Sequence, residues 1–163
     1  RGDFDMSATG TIGSDLGDKD IPVNDFVANG SFKNRTDDGK ITGWTSTALD
    51  RELSASAEGL TLDADEGAYQ VINGQYKNTS YRLSASADVT GNGKCYVYIA
   101  EYFGTVKMAV SEKIEFTAAD KGEKSFEYTL KNSMTSAVRV YIETEGGTTA
   151  VVKNVKLLRS LPA

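Results

Sequence analysis

Short runs of alternating apolar and polar residues, separated by turn residues, fill the chain after Pro22 and constrain its fold more than any other feature. Alternation with a period of two is the pattern of a half-buried β-strand, whereas an amphipathic helix repeats about every 3.6 residues. No segment keeps a helical apolar stripe for more than a turn or two. The pattern predicts ten strands, over 23–32, 53–57, 60–64, 68–72, 81–89, 94–103, 113–118, 125–130, 138–144 and 149–158.

The breaks between these runs contain the residues that tight turns favour, such as Asn73-Gly74, Gly91-Asn92-Gly93 and Gly146-Gly147. We therefore predict an all-β fold, a two-sheet antiparallel β-sandwich with almost no helix. A chain of 163 residues supports one domain, which we assign to residues 23–163. Residues 1–22 contain scattered Gly, Asp and Ser without a sustained period, and are expected to form a linker or a loosely ordered arm.

The composition excludes several kinds of chemistry. Because the chain has no His and only one Cys, it has no Ser-His or Cys-His nucleophilic pair, no His-ligated zinc and no internal disulfide. Its net charge of −5 disfavours binding to the phosphates of nucleic acid. No run approaches the roughly 18 apolar residues that a membrane helix needs, so membrane insertion is not expected. No cofactor is predicted.

The strand predicted over 94–103 has the most informative alternation. The residues of one parity are expected in the core, and the apolar ones are Cys95, Val97, Ile99 and Phe103. The other parity places three tyrosines in one outward row, and they are Tyr96, Tyr98 and Tyr102. Three aromatic side chains on the solvent face of one strand indicate a candidate binding surface.

Two further strands are expected to extend this surface. The strand over 138–144 directs Arg139, Tyr141 and Glu143 outward, and the strand over 81–89 directs Arg82 outward. Aromatic rings stack on the apolar C–H face of a sugar while planar polar groups bind its hydroxyls, so this mixture favours a sugar site. Tyrosine also has a high β-propensity and often decorates exposed strands, which leaves a purely structural interpretation open. The candidate ligand-binding residues are Tyr96, Tyr98, Tyr102, Tyr141, Arg139, Glu143 and Arg82.

Motifs near both ends of the chain carry a resemblance to a known family. Val27-Ala28-Asn29-Gly30-Ser31-Phe32 is followed by Gly43-Trp44, and the last motif is Val151-Val152-Lys153-Asn154-Val155-Lys156-Leu157. Tyr69-Gln70-Val71 and Tyr81-Arg82-Leu83-Ser84-Ala85 lie between them. In order and spacing, these segments resemble the jelly-roll carbohydrate-binding modules of families 4, 9, 16 and 22, over residues 23–159.

This resemblance implies a non-catalytic domain that holds a secreted or cell-surface bacterial polysaccharide-degrading protein on its glycan. The ligand would be a polysaccharide such as β-glucan, xylan or starch, lying across the concave face of one sheet. The domain would be extracellular, monomeric and part of a larger protein. The tryptophan of the Gly-Trp pair usually packs at the edge of the sandwich, so Trp44 is expected to be structural.

The resemblance also implies that one feature of the family is missing here. Members often carry Glu just after the Phe of the first motif and Asp at the start of the last strand motif, and both carboxylates help to bind a structural calcium ion. This chain has Lys33 and Lys153 at those positions. An ammonium group has no lone pair to offer a cation, so no metal site is predicted and calcium is expected to have little effect.

Two other functions are considered. A small jelly-roll glycoside hydrolase would need two carboxylates across a cleft, and Glu143 is on the outer face, but Glu101 falls on the core parity. An adhesion or spacer β-sandwich would bind no sugar. If the tyrosine row is a platform, Tyr98→Ala should weaken binding with little loss of stability. If it is not, the site is expected on the loops around Trp44, Tyr69 and Tyr76.

Overall fold

The computed structural model describes residues 25–160, which form eleven strands and no helix. The predicted linker, residues 1–22, lies outside the described residues. Within residues 25–160 there is no helix long and apolar enough to cross a membrane. The strands are β1 (Thr45–Ser46), β2 (Ser54–Ala55), β3 (Leu60–Leu62), β4 (Gly67–Asn73), β5 (Ser80–Thr90), β6 (Cys95–Phe103), β7 (Val106–Val110), β8 (Ile114–Phe116), β9 (Lys124–Thr129), β10 (Ala137–Thr144) and β11 (Thr149–Arg159).

The strands form two antiparallel sheets, which confirms the predicted all-β sandwich. The first sheet has the order β1-β4-β10-β6-β7, and β8 pairs with the part of β6 that β7 does not reach. The second sheet has the order β2-β3-β11-β5-β9. Neighbours in the sheets are rarely neighbours in the chain, as β10 between β4 and β6 illustrates. Most of the stabilising pairings therefore join segments that are distant in the sequence.

The core lies between the two sheets and contains one parity of each long strand. From the first sheet, Val97, Ile99 and Val140 are fully buried, and from the second sheet Leu83 and Leu157 are fully buried. The inward parity predicted for the strands over 81–89, 94–103 and 138–144 is confirmed, with one exception: Phe103, predicted inward, has 48% of its surface exposed because β6 ends there and the chain turns into β7.

The predicted strand over 23–32 is wrong within the described residues. Residues 28–31 form a turn, and Asn29 and Phe32 have positive φ angles of 54° and 63°, which an extended strand does not allow. The apolar pattern that suggested a strand is explained by burial without strand geometry, because Val27 and Phe32 both lie in the core. The structure also contains β1 and β7, which the alternation did not predict.

The first sequence motif holds this turn against the last strand. A Cβ atom on Gly30 would lie 2.0 Å from the carbonyl oxygen of Val155, so only glycine fits where the two backbones meet. The amide of Val155 donates a hydrogen bond of 3.0 Å to the carbonyl of Gly30. Trp44 is buried, its ring centroid lies 5.1 Å from that of Phe32, and its Nε1 donates to the carbonyl of Asn29. The structural role expected for Trp44 is confirmed.

The assignment of inner and outer faces in the first sheet predicts which mutations lower the stability of the fold. Ile99→Ala should lower the free energy of unfolding by about 2–5 kcal/mol, because it leaves a cavity between the sheets. Val71→Ala is the control: Val71 lies on the outer face of β4 with 44% of its surface exposed, and should change stability by about 0.5 kcal/mol or less. Urea denaturation measures both. A larger loss at Val71 than at Ile99 would mean that the faces are reversed.

Candidate functional site

The register of the first sheet brings five tyrosines together on its outer face. Tyr141 of β10 lies directly opposite Tyr69 of β4 on one side and Tyr98 of β6 on the other. Tyr96 and Tyr102 share the outer face of β6, two residues before Tyr98 and four residues after it. We call Tyr69, Tyr96, Tyr98, Tyr102 and Tyr141 the tyrosine cluster. Cross-strand neighbours on one face lie within reach of aromatic side chains, so these rings pack together.

Three rings of the tyrosine cluster, those of Tyr69, Tyr98 and Tyr141, pack face to face. The centroids of Tyr98 and Tyr141 are 5.3 Å apart with an angle of 15° between the ring planes, and those of Tyr69 and Tyr141 are 5.4 Å apart. Tyr98, Tyr102 and Tyr141 expose only 4%, 5% and 8% of their surfaces, while Tyr69 and Tyr96 are half-buried. The expectation that Tyr98→Ala leaves stability unchanged is therefore wrong, since it would open a cavity within this packed layer.

Arg139 lies between two of the rings. Its guanidinium carbon is 4.0 Å from the centroid of Tyr102 and 4.9 Å from that of Tyr69, within the range of cation–π attraction. Its Nη1 donates a hydrogen bond of 3.2 Å to the hydroxyl of Tyr141, which shares a second hydrogen bond of 2.6 Å with the hydroxyl of Tyr102. Burial raises the pKa of Tyr102 to about 12, so this hydroxyl stays protonated near neutral pH.

Two lysines lie over other rings of the cluster. The Nζ of Lys113 is 4.6 Å from the centroid of Tyr98 and 5.2 Å from that of Tyr96. The Nζ of Lys107 is 5.5 Å from the centroid of Tyr141. Both lysines are exposed on the solvent side of the sheet. The outer face therefore combines packed aromatic rings with cations that cover them.

Carboxylates bind the hydroxyls at the other end of the cluster. The hydroxyl of Tyr98 donates to Oε2 of Glu143 at 2.9 Å, and that of Tyr96 donates to Oε1 of Glu145 at 2.6 Å. Burial, together with the bond to Glu143, raises the pKa of Tyr98 well above its usual range. The bond from Tyr96 lowers the pKa of Glu145, which also accepts from the amide of Lys94. The tyrosines stay neutral donors and Glu145 stays ionised.

The structure brings together six of the seven predicted site residues and separates the seventh. Arg82 lies on β5 of the second sheet, between β9 and β11, and the tyrosine cluster lies on the first sheet. Its exposed guanidinium pairs with Glu127 of β9 at 3.6 Å. The prediction that Arg82 joins the tyrosine surface is wrong, because alternation determines which face of its own sheet a side chain takes but not which sheet its strand joins.

Three residues of the surface were not among the predicted site residues. The outward direction of Tyr69 and Lys113 could have been predicted from the sequence. Ile72 and Ile114 are apolar residues of the opposite parity in the same predicted strands, so they belong to the core face and leave the outer face to Tyr69 and Lys113. Lys107 lies on β7, a short edge strand whose residues alternate only weakly. The turn at Gly104 that precedes β7 was not among the turns predicted from the sequence. Its place opposite Tyr102 follows only from the pairing of β6 with β7.

Glu101 lies on the core face of β6, as its parity predicted, and is fully buried. Its carboxylate accepts hydrogen bonds from the hydroxyls of Tyr128 and Thr135 and from the amides of Lys131 and Asn132. Burial by itself would raise the pKa of Glu101, but these hydrogen bonds outweigh it and hold the pKa below the ordinary value of 4.5. The carboxylate holds the loop after β9 and is not available on the outer face.

The lowered pKa of Glu101 predicts a pH-dependent contribution to stability. A group with a lower pKa in the folded state stabilises the fold above its unfolded pKa, and loses that effect as the pH falls through its folded pKa. Glu101→Gln should therefore cost at least about 2 kcal/mol at pH 7, since it leaves buried donors unpaired. The difference in the free energy of unfolding between this variant and the wild type should shrink below about pH 4. Urea denaturation of both proteins across this pH range measures it, and a gap that is constant with pH would contradict the prediction.

Lys153, which replaces a carboxylate expected from the family resemblance, forms ion pairs of its own. Its Nζ is 2.8 Å from a carboxylate oxygen of Asp88 and 3.7 Å from one of Glu58. Lys33 is exposed. Across residues 25–160, no group of three His, Cys, Asp or Glu residues is arranged to hold a metal ion. Cys95 is buried, and burial raises the pKa of its thiol to about 12, so the thiol is not a thiolate ligand near neutral pH.

Calcium should therefore leave the melting temperature nearly unchanged. A required ion at a hundredfold excess over its Kd would stabilise the fold by about 2.7 kcal/mol, which raises the melting temperature of a chain of this size by several degrees. Differential scanning calorimetry with excess calcium and with a chelator measures the effect. A clear loss of stability on chelation would reveal an ion site.

Comparisons of the chain with known proteins show its fold. Neither a protein-family model nor a curated protein sequence matches the chain. Among solved structures, it is similar to a family 4 carbohydrate-binding module (TM-score 0.61, 15% identity, 82% of this chain and 99% of that chain). It is equally similar to Family 16 Carbohydrate Binding Module-2 (TM-score 0.61, 18% identity, 82% and 99%). A third is the CBM22-1 xylan-binding domain from Paenibacillus barcinonensis Xyn10C (TM-score 0.57, 13% identity, 82% and 93%).

The chain therefore has the β-sandwich fold of carbohydrate-binding modules, and the resemblance to families 4, 16 and 22 is confirmed at the level of the fold. The likeness covers most of this chain and nearly all of each of those three.

Proposed function

We propose that this chain is a non-catalytic carbohydrate-binding module that binds a polysaccharide across the tyrosine cluster of the first sheet. The observation that carries the proposal is the cluster itself: five tyrosines on one outer sheet face, next to Arg139 and Glu143, in a chain with the fold of such modules. Sugar sites combine aromatic surface with a few well-placed polar groups, and this face has both.

The roles of the residues follow from their exposure. Tyr69 and Tyr96 are the half-buried members of the cluster, so we assign them the direct contacts with sugar rings. Tyr98, Tyr102 and Tyr141 are nearly buried, so little of their ring surface is open to a ligand. Arg139 and Glu143 supply a donor and an acceptor for sugar hydroxyls, consistent with the predicted roles of both residues.

The carboxylates of the described residues support binding without catalysis. Glu115, Glu143 and Glu145 lie on the outer face, but each is held by a partner, namely Lys94, Tyr98 and Tyr96 respectively. Glu101 is buried on the core face and fully hydrogen-bonded. A glycoside hydrolase needs two carboxylates facing the same bond across a cleft. Release of reducing sugar from a polysaccharide by the purified chain would overturn this part of the proposal.

We further propose that the chain is an extracellular, monomeric module of a larger bacterial protein that degrades polysaccharides. Its support is the fold, since the family 22 neighbour is by name the xylan-binding domain of a larger protein. Xylan, β-glucan and starch are therefore among the first polysaccharides to test. The net charge of −5 weighs against nucleic acid as a partner.

Affinity gel electrophoresis over a panel of soluble polysaccharides tests binding, and two tyrosine variants test the site. Tyr96→Ala should weaken binding about five- to thirtyfold, the usual loss of a contact residue worth about 1–2 kcal/mol. Tyr76→Ala is the matched control, because Tyr76 is 60% exposed and lies outside the tyrosine cluster. It should bind like wild type.

The outcomes separate the candidate functions. Absence of binding to every glycan would favour an adhesion or spacer domain that binds no sugar. Loss of binding in Tyr76→Ala, with Tyr96→Ala unaffected, would place the site on the loops and not on the sheet. Circular dichroism of each variant checks that the loss of binding is not a loss of fold.

A further inference from the structure

The cations of the tyrosine cluster lack carboxylate partners in the described part of the chain. The ion pairs found within residues 25–160 involve other lysines and arginines, such as Lys94 with Glu115. Arg139, Lys107 and Lys113 instead lie against tyrosine rings. The chain as a whole carries a net charge of −5, so an excess of cations on this face does not follow from its overall composition.

Two of the three cations lie at the ring of Tyr141, and the third lies over the neighbouring ring of Tyr98. Nη1 of Arg139 is 3.2 Å from the hydroxyl of Tyr141, and Nζ of Lys107 is 5.5 Å from the centroid of the same ring. Nζ of Lys113 is 4.6 Å from the ring of Tyr98, which stacks on Tyr141. An anion placed over Tyr141 would therefore face Arg139 and Lys107, with Lys113 over the neighbouring ring.

Arg139 has N–H donors available to bind such an anion. A guanidinium has five N–H donors, and within the described residues this side chain makes one hydrogen bond, to Tyr141. Its Nε is buried without any partner, the one such side-chain atom found in residues 25–160. The rings of Tyr69 and Tyr102 and the hydroxyl of Tyr141 hold the group in place, and no carboxylate within residues 25–160 forms an ion pair with it. A planar guanidinium fixed in this way is suited to a carboxylate, whose two oxygens match its parallel N–H groups.

The acidic side chains of the same face do not cancel this charge. Glu115 is paired with Lys94, and Glu143 and Glu145 accept hydrogen bonds from Tyr98 and Tyr96. The carboxylates of Glu143 and Glu145 thus lie at Tyr98 and Tyr96, where Lys113 also lies, whereas Arg139 and Lys107 lie at Tyr102 and Tyr141. The positive charge without a nearby carboxylate partner is therefore at Arg139 and Lys107.

We propose that the glycan bound by this face is acidic, and that Arg139, Lys107 and Lys113 bind the carboxylate of a uronic acid residue. This inference rests on the proposed function and adds the chemical class of the ligand. The cation–π contacts of the lysines are weak at an exposed site, whereas charge-assisted hydrogen bonds to a carboxylate are stronger. Each lysine ammonium group therefore leaves its tyrosine ring and binds the carboxylate of the ligand.

The test compares uronate polymers with counterparts that lack only the charge. Polygalacturonate, alginate, glucuronoxylan and hyaluronan are each measured beside the same polymer with its carboxyl groups methyl-esterified. Dextran sulfate beside dextran tests whether a sulfate serves instead, and neutral xylan and β-glucan test neutral chains. At least one uronate polymer should bind about tenfold more tightly than its ester, the loss expected when a charged pair is removed. Its binding should weaken when the Debye length falls from about 30 Å at 0.01 M salt to about 3 Å at 1 M.

Variants connect the preference to the three cations. Lys107→Gln and Lys113→Gln replace exposed side chains and should fold normally while narrowing the preference for the acidic polymer over its ester. Arg139→Lys keeps the charge but removes the planar fork, and should weaken uronate binding about tenfold. Arg82→Gln is the matched control, because it removes an exposed cation from the second sheet, and it should leave the preference unchanged.

The possible results distinguish a failure of the acidic-ligand proposal from a failure of the proposed function. Equal binding of a uronate polymer and its ester, or binding of neutral glycans only, would overturn the acidic ligand and leave the carbohydrate-binding function standing. Binding of dextran sulfate alone would overturn the choice of a carboxylate. Failure of every glycan to bind would overturn both proposals. If Arg82→Gln reduces the preference for the acidic polymer as much as the lysine variants do, the preference is a general effect of charge and not of a site at the tyrosine cluster.

Discussion

The pairing of β6 with β10 at the centre of the first sheet is the constraint on which both the core and the candidate site depend. All eight residues of β10 pair with β6, so the register is specified over the whole strand. One parity of the two strands places Val97, Ile99 and Val140 between the sheets. The other parity places Tyr98 and Tyr141 side by side on the outer face. A shift of one residue would exchange the two faces, so selection for a sound core also maintains the tyrosine surface.

The tyrosine cluster forms a second packed layer, on the outside of its sheet. Its rings pack against one another, and the hydroxyls of Tyr96, Tyr98, Tyr102 and Tyr141 form hydrogen bonds with Glu145, Glu143 or another tyrosine. Rings held in this way have little conformational freedom left to lose when a ligand arrives, which favours binding. The same packing buries most of the ring surface that simple alternation suggested, so the proposed site relies on the half-buried Tyr69 and Tyr96 and on the cations beside the rings.

Alternation was most reliable for the long strands that have one face in the core. It placed the inner residues of β5, β6 and β10 correctly except for Phe103 at the end of β6, because a buried face forces a strict period of two. It failed for residues 28–31, where buried apolar residues belong to a turn, and for β7, an edge strand that buries little. The buried Glu101 was assigned to the correct face by parity, yet its four donors lie in β9 and the loop that follows β9, and no local pattern indicates them.

The sequence by itself determined that this chain is an all-β sandwich, which residues of each long strand face the core, and that Tyr96, Tyr98 and Tyr102 share one outer row. These properties follow from the period of a single strand. The tertiary structure decided which strands lie side by side, and with that it joined Tyr69, Lys107 and Lys113 to the cluster and moved Arg82 to the other sheet. The reason is that sheet order depends on contacts between distant segments, which the alternation within one strand does not encode.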